Sequence, residues 1–128
     1  MILTAALLAC TPIARDGDTI RCGAELIRLL GIDAPELPGH CRRGRRCAPG
    51  NPRASRDRLA DALLAGPVRI ERFGKDRYGR TLAFVQAGGA DLSCHQLAGG
   101  AAIYRRDWDR RGRLGRSCAA AGRSRLPR

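Results

Sequence analysis

The chain has 128 residues, enough for one domain with a single modest core. Its 24 Lys and Arg against 12 Asp and Glu give a net charge of +12, and all but one of the bases are arginine. That surface disfavours cationic partners and favours a polyanion, nucleic acid before acidic membrane, while no apolar run is long enough to span a bilayer.

The charge is unevenly spread. Residues 1–41 carry a net charge of −2, residues 42–58 of +6, residues 59–104 of +1 and residues 105–128 of +7. An acidic patch inside a basic protein is a reasonable place to look for a cation site.

In chain order, "MILTAALLAC" is apolar but lacks the basic flank of a secretory signal. Residues 1–11 are read as a weak or clipped export signal running into the first strand. "TPIARDGDTIRCGAELIRLLGI" reads as a three-stranded meander broken at Asp-Gly and Cys-Gly turns. "ELPGHCRRGRRCAPGNP" is a loop by its Pro, Gly and Arg content, and its Arg42–Arg46 cluster would add phosphate affinity.

A helix follows, with Asn51 as N-cap, Pro52 at its first position and Leu59, Leu63 and Leu64 on one face. Gly66 and Pro67 stop it. "VRIERF" and "RTLAFVQ" are strands joined by "GKDRYG", and "DLSCHQLAGG" is a short helix capped by Asp91. A last helix over 113–122 is weakened by Gly115 and Gly122. The order predicts an α+β, mainly β fold: a five-stranded OB-fold-type barrel over residues 12–104 with two to three helices, and an arginine-rich tail over 105–128. Trp108 is expected to pack that tail onto the barrel rather than stack on a base.

Six cysteines, an even number in so small a chain, point to an oxidising compartment, hence a periplasmic or secreted protein. Fifteen pairings are open to them. A hairpin turning at "DGD" would set Cys10 opposite Cys22, since they lie symmetrically about Asp16. Cys41 with Cys47 would close a small arginine-bearing loop, and Cys94 with Cys118 would then tie the tail to the body. Zinc at His40, Cys41 and Cys47 is disfavoured, because no second close ligand pair follows.

The chemistry gathers in two strings, "RDGDTIRC" at 15–22 and "LIRLLGIDAPE" at 26–36, which together with Glu25 between them hold five of the twelve acids. Pro35 biases Ala34 toward an extended conformation, which leaves the Ala34 carbonyl free to face a cation. Asp18, Asp33 and that carbonyl would form a hard, oxygen-only, partly hydrated site suited to calcium, with magnesium as the alternative. Glu36 lies close enough to hold or deprotonate a water beside the metal. Asp16 and Glu25 read as turn and surface. Arg28, set among leucines, either points to a solvated strand face, pairs with Glu25 or Glu36, or is buried and needs another anion. Arg80, after the turn in "DRYGR", is a second candidate to grip a phosphate and spread the charge that develops there.

Taken together, "DGDT", "RLLGIDAPE" and "DRYGR" followed by "TLAFV" resemble the staphylococcal nuclease-like (thermonuclease) family over roughly residues 12–104. The resemblance implies an OB-type barrel and calcium-dependent hydrolysis of DNA and RNA with little sequence specificity. It assigns calcium to Asp18, Asp33 and the carbonyl of Ala34, where the family often has threonine. It makes Glu36 the residue acting on water and Arg28 and Arg80 the phosphate binders, with Arg77 and Tyr78 seating a neighbouring phosphate. The glycine-interrupted tail departs from the firm third helix of the family. A monomer without an obligate protein partner is expected. The rival readings are a non-catalytic nucleic-acid-binding OB-fold protein, which has no need of all five site residues, and a basic secreted protein acting on anionic envelopes, which leaves the acids unexplained.

Overall fold

The computed structural model describes residues 10–120. The export-signal reading of residues 1–9 and the end of the expected tail helix at 121–122 lie outside the described residues. Strands β1 (Ile13–Ala14), β2 (Thr19–Cys22) and β3 (Glu25–Leu29) form the expected antiparallel meander. A turn at Gly31, whose φ of 82° suits only glycine without strain, leads to β4 (Ile32–Asp33). Helix α1 (Pro52–Leu63) precedes β5 (Val68–Lys75), β6 (Thr81–Ala87), β7 (Ala90–Asp91), α2 (Leu92–Ala98), β8 (Ile103–Tyr104) and α3 (Arg113–Ala120).

The main sheet runs β1-β2-β3-β6-β5, with β7 paired to β6, while β4 and β8 form a separate two-stranded ladder. All pairs are antiparallel except β3–β6. The ladder that would close a five-stranded barrel is not made among the described residues. β1 is only two residues long, and β4 leaves the main sheet to pair with β8, so the path stays open.

The hairpin register sets Ile13 against Arg21 and Ala14 against Ile20, which centres the first turn on Gly17 rather than Asp16. Cys10 and Cys22 still meet as a disulfide, as do Cys41 with Cys47 and Cys94 with Cys118. Their Cα separations of 5.3, 6.2 and 5.2 Å lie within the range a disulfide spans.

Local signals placed α1 and α2. The Asn51 side chain accepts from the amides of Arg53 and Ala54, and the Asp91 side chain accepts from the amide of Cys94. The core joins Ile20, Ile27 and Leu29 of the meander to Leu59, Val85, Leu92 and Leu114, each fully buried. Burial of each such side chain contributes roughly 1.5–3 kcal/mol. Leu64, expected on the buried helix face, is 85 % exposed. The helix ends at Leu63, and Leu64 is its C-cap, turned away from the Leu59–Leu63 stripe. The tail is anchored despite its glycines: Leu114 and Cys118 are fully buried, and Cys118 is bonded to Cys94 of α2.

Candidate active site

The parallel pairing of β3 with β6 does the essential work of assembly. Its register sets Arg28 against Leu82, so the turn ending in Arg80 rises beside the strand carrying Arg28. Asp18, Arg28, Glu36, Arg77, Tyr78 and Arg80 thereby line one cleft of about 1060 Å³. Asp33 and Ala34 are almost wholly buried, and Asp33 meets the guanidinium of Arg28, itself in the cleft wall.

Two acid-bearing turns are locked together. Asp18 Oδ2 accepts the amide of Ala34 at 2.8 Å, and the amide of Leu29 donates to the carbonyl of Asp18 at 2.9 Å. The two turns approach closely because Gly17 has no side chain. A Cβ there would fall 1.8 Å from Ser55 Oγ and 2.8 Å from Ala34 Cβ. The carbonyl of Gly17 accepts from Nε2 of the fully buried Gln96, which also donates to the carbonyl of Ser55. A helix α2 amide therefore fixes the position of the first turn.

Arg28 is buried, and its anions are in the protein itself. Nη1 donates to the carbonyls of Leu29 and Ile32 at 2.8 and 3.0 Å. Nη2 stands 3.2 Å from Asp18 and 3.9 Å from Asp33, so both carboxylates face one point. Neither Glu25 nor Glu36 is its partner. Glu25 instead takes a two-pronged bond from Arg72 and the hydroxyl of Thr81. Those hydrogen bonds, Arg72 first, pull its carboxyl down to about 2.

Asp16 is the turn residue the sequence suggests, its Oδ1 accepting the amide of Asp18 at 3.1 Å, and it also joins the acidic cluster. Burial, followed by the neighbouring charge of Asp18, pushes its carboxyl up to about 7. Asp33 is raised for the same two reasons, opposed by Arg28, Arg45 and Arg105. Arg45 and Arg105 were not legible as site residues. Each lies within 3.5 Å of Asp33, and Arg45 Nη1 also donates to Glu36 at 2.7 Å. Trp108, half-buried in the cleft wall, lies under two guanidinium groups, Arg105 at 4.1 Å and Arg28 at 5.3 Å. It does pack the tail against the site, and its partners are arginines.

Also lining the cleft, Asp76 fixes the turn by accepting the amides of Tyr78 and Arg80 and the Nε of Arg80 at 2.7 Å. Tyr78 is exposed, takes a hydrogen bond from Arg77, and has Arg42, Arg77 and Arg80 within 6 Å of its ring. The bond from Arg77 lowers its phenol. Cys41 and Cys47 are bonded to each other, which removes them as zinc ligands.

A small mixed α+β domain that holds buried carboxylates beneath an arginine-lined cleft is the class that this fold and site define. Residues 26–125 match the model of the staphylococcal nuclease homologue family, and the chain belongs to that family. The match begins at Leu26, so Asp16 and Asp18 are brought to the family's portion of the chain by the β2–β3 pairing. No curated protein matches the chain. Among the described residues, no helix is long and apolar enough to cross a membrane.

Proposed function

We propose that the protein is a calcium-dependent phosphodiesterase that hydrolyses DNA and RNA with little sequence specificity, acting as a monomer in the periplasm or outside the cell. The observation that carries this reading is the convergence of Asp18, Arg28, Glu36 and Arg80 on one cleft, from segments more than fifty residues apart. A protein that only bound nucleic acid would have no use for buried carboxylates there, since they repel phosphate. Three disulfides suit an oxidising compartment.

The donor set fits a hard divalent cation. Asp18 and Asp33 are hard oxygen donors brought together beside the Arg28 guanidinium, and burial first, then the charge of Asp18, raises Asp33. Among the described residues, no three His, Cys, Asp or Glu side chains are grouped to hold a metal ion, so a cation here would depend on two carboxylates, the Ala34 carbonyl and solvent or substrate oxygen. Asp18, Asp33 and the Ala34 carbonyl would hold calcium, with magnesium as the alternative. Once bound, the ion polarises the phosphate and offsets its charge.

Arg80 and the outer face of Arg28 would orient the phosphate, and Arg77 with Tyr78 would seat its neighbour along the strand. Glu36 would accept the proton of the attacking water, for which its carboxylate must be free of Arg45. The planar guanidinium groups then meet the charge gathered on the phosphate oxygens.

The test is digestion of plasmid and of RNA with calcium, with magnesium and with chelator, using wild type and Glu36→Gln. Cleavage should require calcium and fall about 10²–10⁴-fold in the variant. Cleavage untouched by chelator refutes the metal, and equal rates in Glu36→Gln refute the base. Retention of both polymers without cleavage would instead identify a non-catalytic binding protein.

A further inference from the structure

The disulfide-closed loop Cys41–Cys47 carries four arginines, and they are not equivalent. Arg45 reaches into the cleft, donating from Nη1 to Glu36 Oε1 at 2.7 Å and standing 3.5 Å from Asp33 Oδ1 through Nη2. Arg42, also in the cleft lining, lies over the ring of Tyr78 at 5.7 Å. Arg43 and Arg46 have no carboxylate partner among the described residues. One loop thus places a cation on the acidic wall and a second over the Tyr78 ring.

We propose that Arg45 is a built-in competitor for the cation site: it occupies the acidic wall of the cleft, and a divalent cation gains Asp33 and frees Glu36 by displacing it. This rests on the reading of the cleft as a cation site. The three guanidinium groups around Asp33 differ in how they are held. Arg28 is buried and fixed by two backbone carbonyls, so it cannot leave. Arg105 is stacked on Trp108 at 4.1 Å. Arg45 is about as exposed as Arg105, 38 % against 34 %, but it sits on the disulfide-closed loop with no aromatic ring beneath it among the described residues, and its pair with Glu36 is open to water and salt.

A screened pair of that kind is weak enough for a doubly charged ion to replace. It is nonetheless always present, because the chain supplies its own guanidinium at high effective concentration. The Cys41–Cys47 bridge enforces that concentration by closing the loop over six positions. Linkage is reciprocal: calcium weakens the hold of Arg45, and Arg45 weakens calcium by the same factor. Glu36 is released in the same event, which couples loading of the site to exposure of the carboxylate that acts on water.

The experiment is calorimetric calcium binding to the full chain, in wild type, Arg45→Ala, Arg43→Ala and Asp33→Asn. Arg45→Ala should bind calcium about fivefold more tightly than wild type. Arg43→Ala, which removes the same charge from the same loop, should stay within about twofold of wild type. A Cys41→Ser/Cys47→Ser variant should shift in the direction of Arg45→Ala, by a smaller factor. Unchanged or weaker binding in Arg45→Ala, with wild type binding normally and Asp33→Asn not, overturns the competitor and leaves the cation site standing. Equal gains in Arg43→Ala and Arg45→Ala also overturn it, since the effect would then be that of net charge. Calcium binding in none of the four overturns both.

Discussion

Replacing Gly17 by alanine probes the contact on which the two acidic turns depend. Gly17 has no positive φ, so the argument is wholly steric. The new Cβ would lie 1.8 Å from Ser55 Oγ, 2.9 Å from Ser55 Cβ and 2.8 Å from Ala34 Cβ. Ser55 cannot turn aside freely, because its hydroxyl donates to the carbonyl of Ala101 at 2.7 Å. Losing that bond costs about 1–3 kcal/mol, and forcing the turn off α1 costs a similar amount. We expect a loss of about 2–4 kcal/mol and a melting temperature lower by about 10 °C, read by circular dichroism. Ser55→Gly removes the two atoms nearest the clash on α1. The pair Gly17→Ala/Ser55→Gly should therefore show a favourable coupling of about 1 kcal/mol or more in a double-mutant cycle. An unchanged melting temperature in Gly17→Ala, or no coupling to Ser55, would refute the claim that this packing positions Asp18.

Arg28→Met leaves the buried carboxylates of Asp18 and Asp33 without the group that faces both, and should cost about 3 kcal/mol in urea denaturation with chelator present. A loss under about 1 kcal/mol would mean that Arg45 and Arg105 suffice. Removing the Cys94–Cys118 bridge as Cys94→Ala/Cys118→Ala frees a 24-residue span, and should lower stability by about 3 kcal/mol in the same assay. Glu25 has a folded-state pKa of about 2, below the ordinary 4.5, so its contribution is present above pH 4.5 and lost as the pH falls toward 2. Glu25→Gln should flatten that acid limb of the stability curve, and a limb unchanged in slope would show that other carboxylates produce it.

What the sequence determined by itself was local. Asn51, Pro52 and Asp91 announce helix starts because a cap bonds amides two or three residues away, and those bonds form as written. The meander and the Asp76 turn are likewise short-range events. The disulfide pairs followed from spacing, and the three motifs named the family before any contact was visible. Approaches between distant segments had no such signature. Leu64 lost its place in the core by one residue of helix termination.

Asp16 does serve the turn, as DG turns lead one to expect, but only burial and the neighbouring Asp18 raise its carboxyl to about 7. Arg45 and Arg105 sat in runs of arginine where no one residue stood out, yet each touches Asp33. Gln96 carried no motif at all, and it holds the Gly17 turn across 79 residues of chain. The physical reason is the same in each case. Sequence fixes which groups can titrate, cap or turn, while the effective charge and partners of a group depend on what the parallel β3–β6 pairing and the packing of α1 and α2 bring within a few ångströms of it.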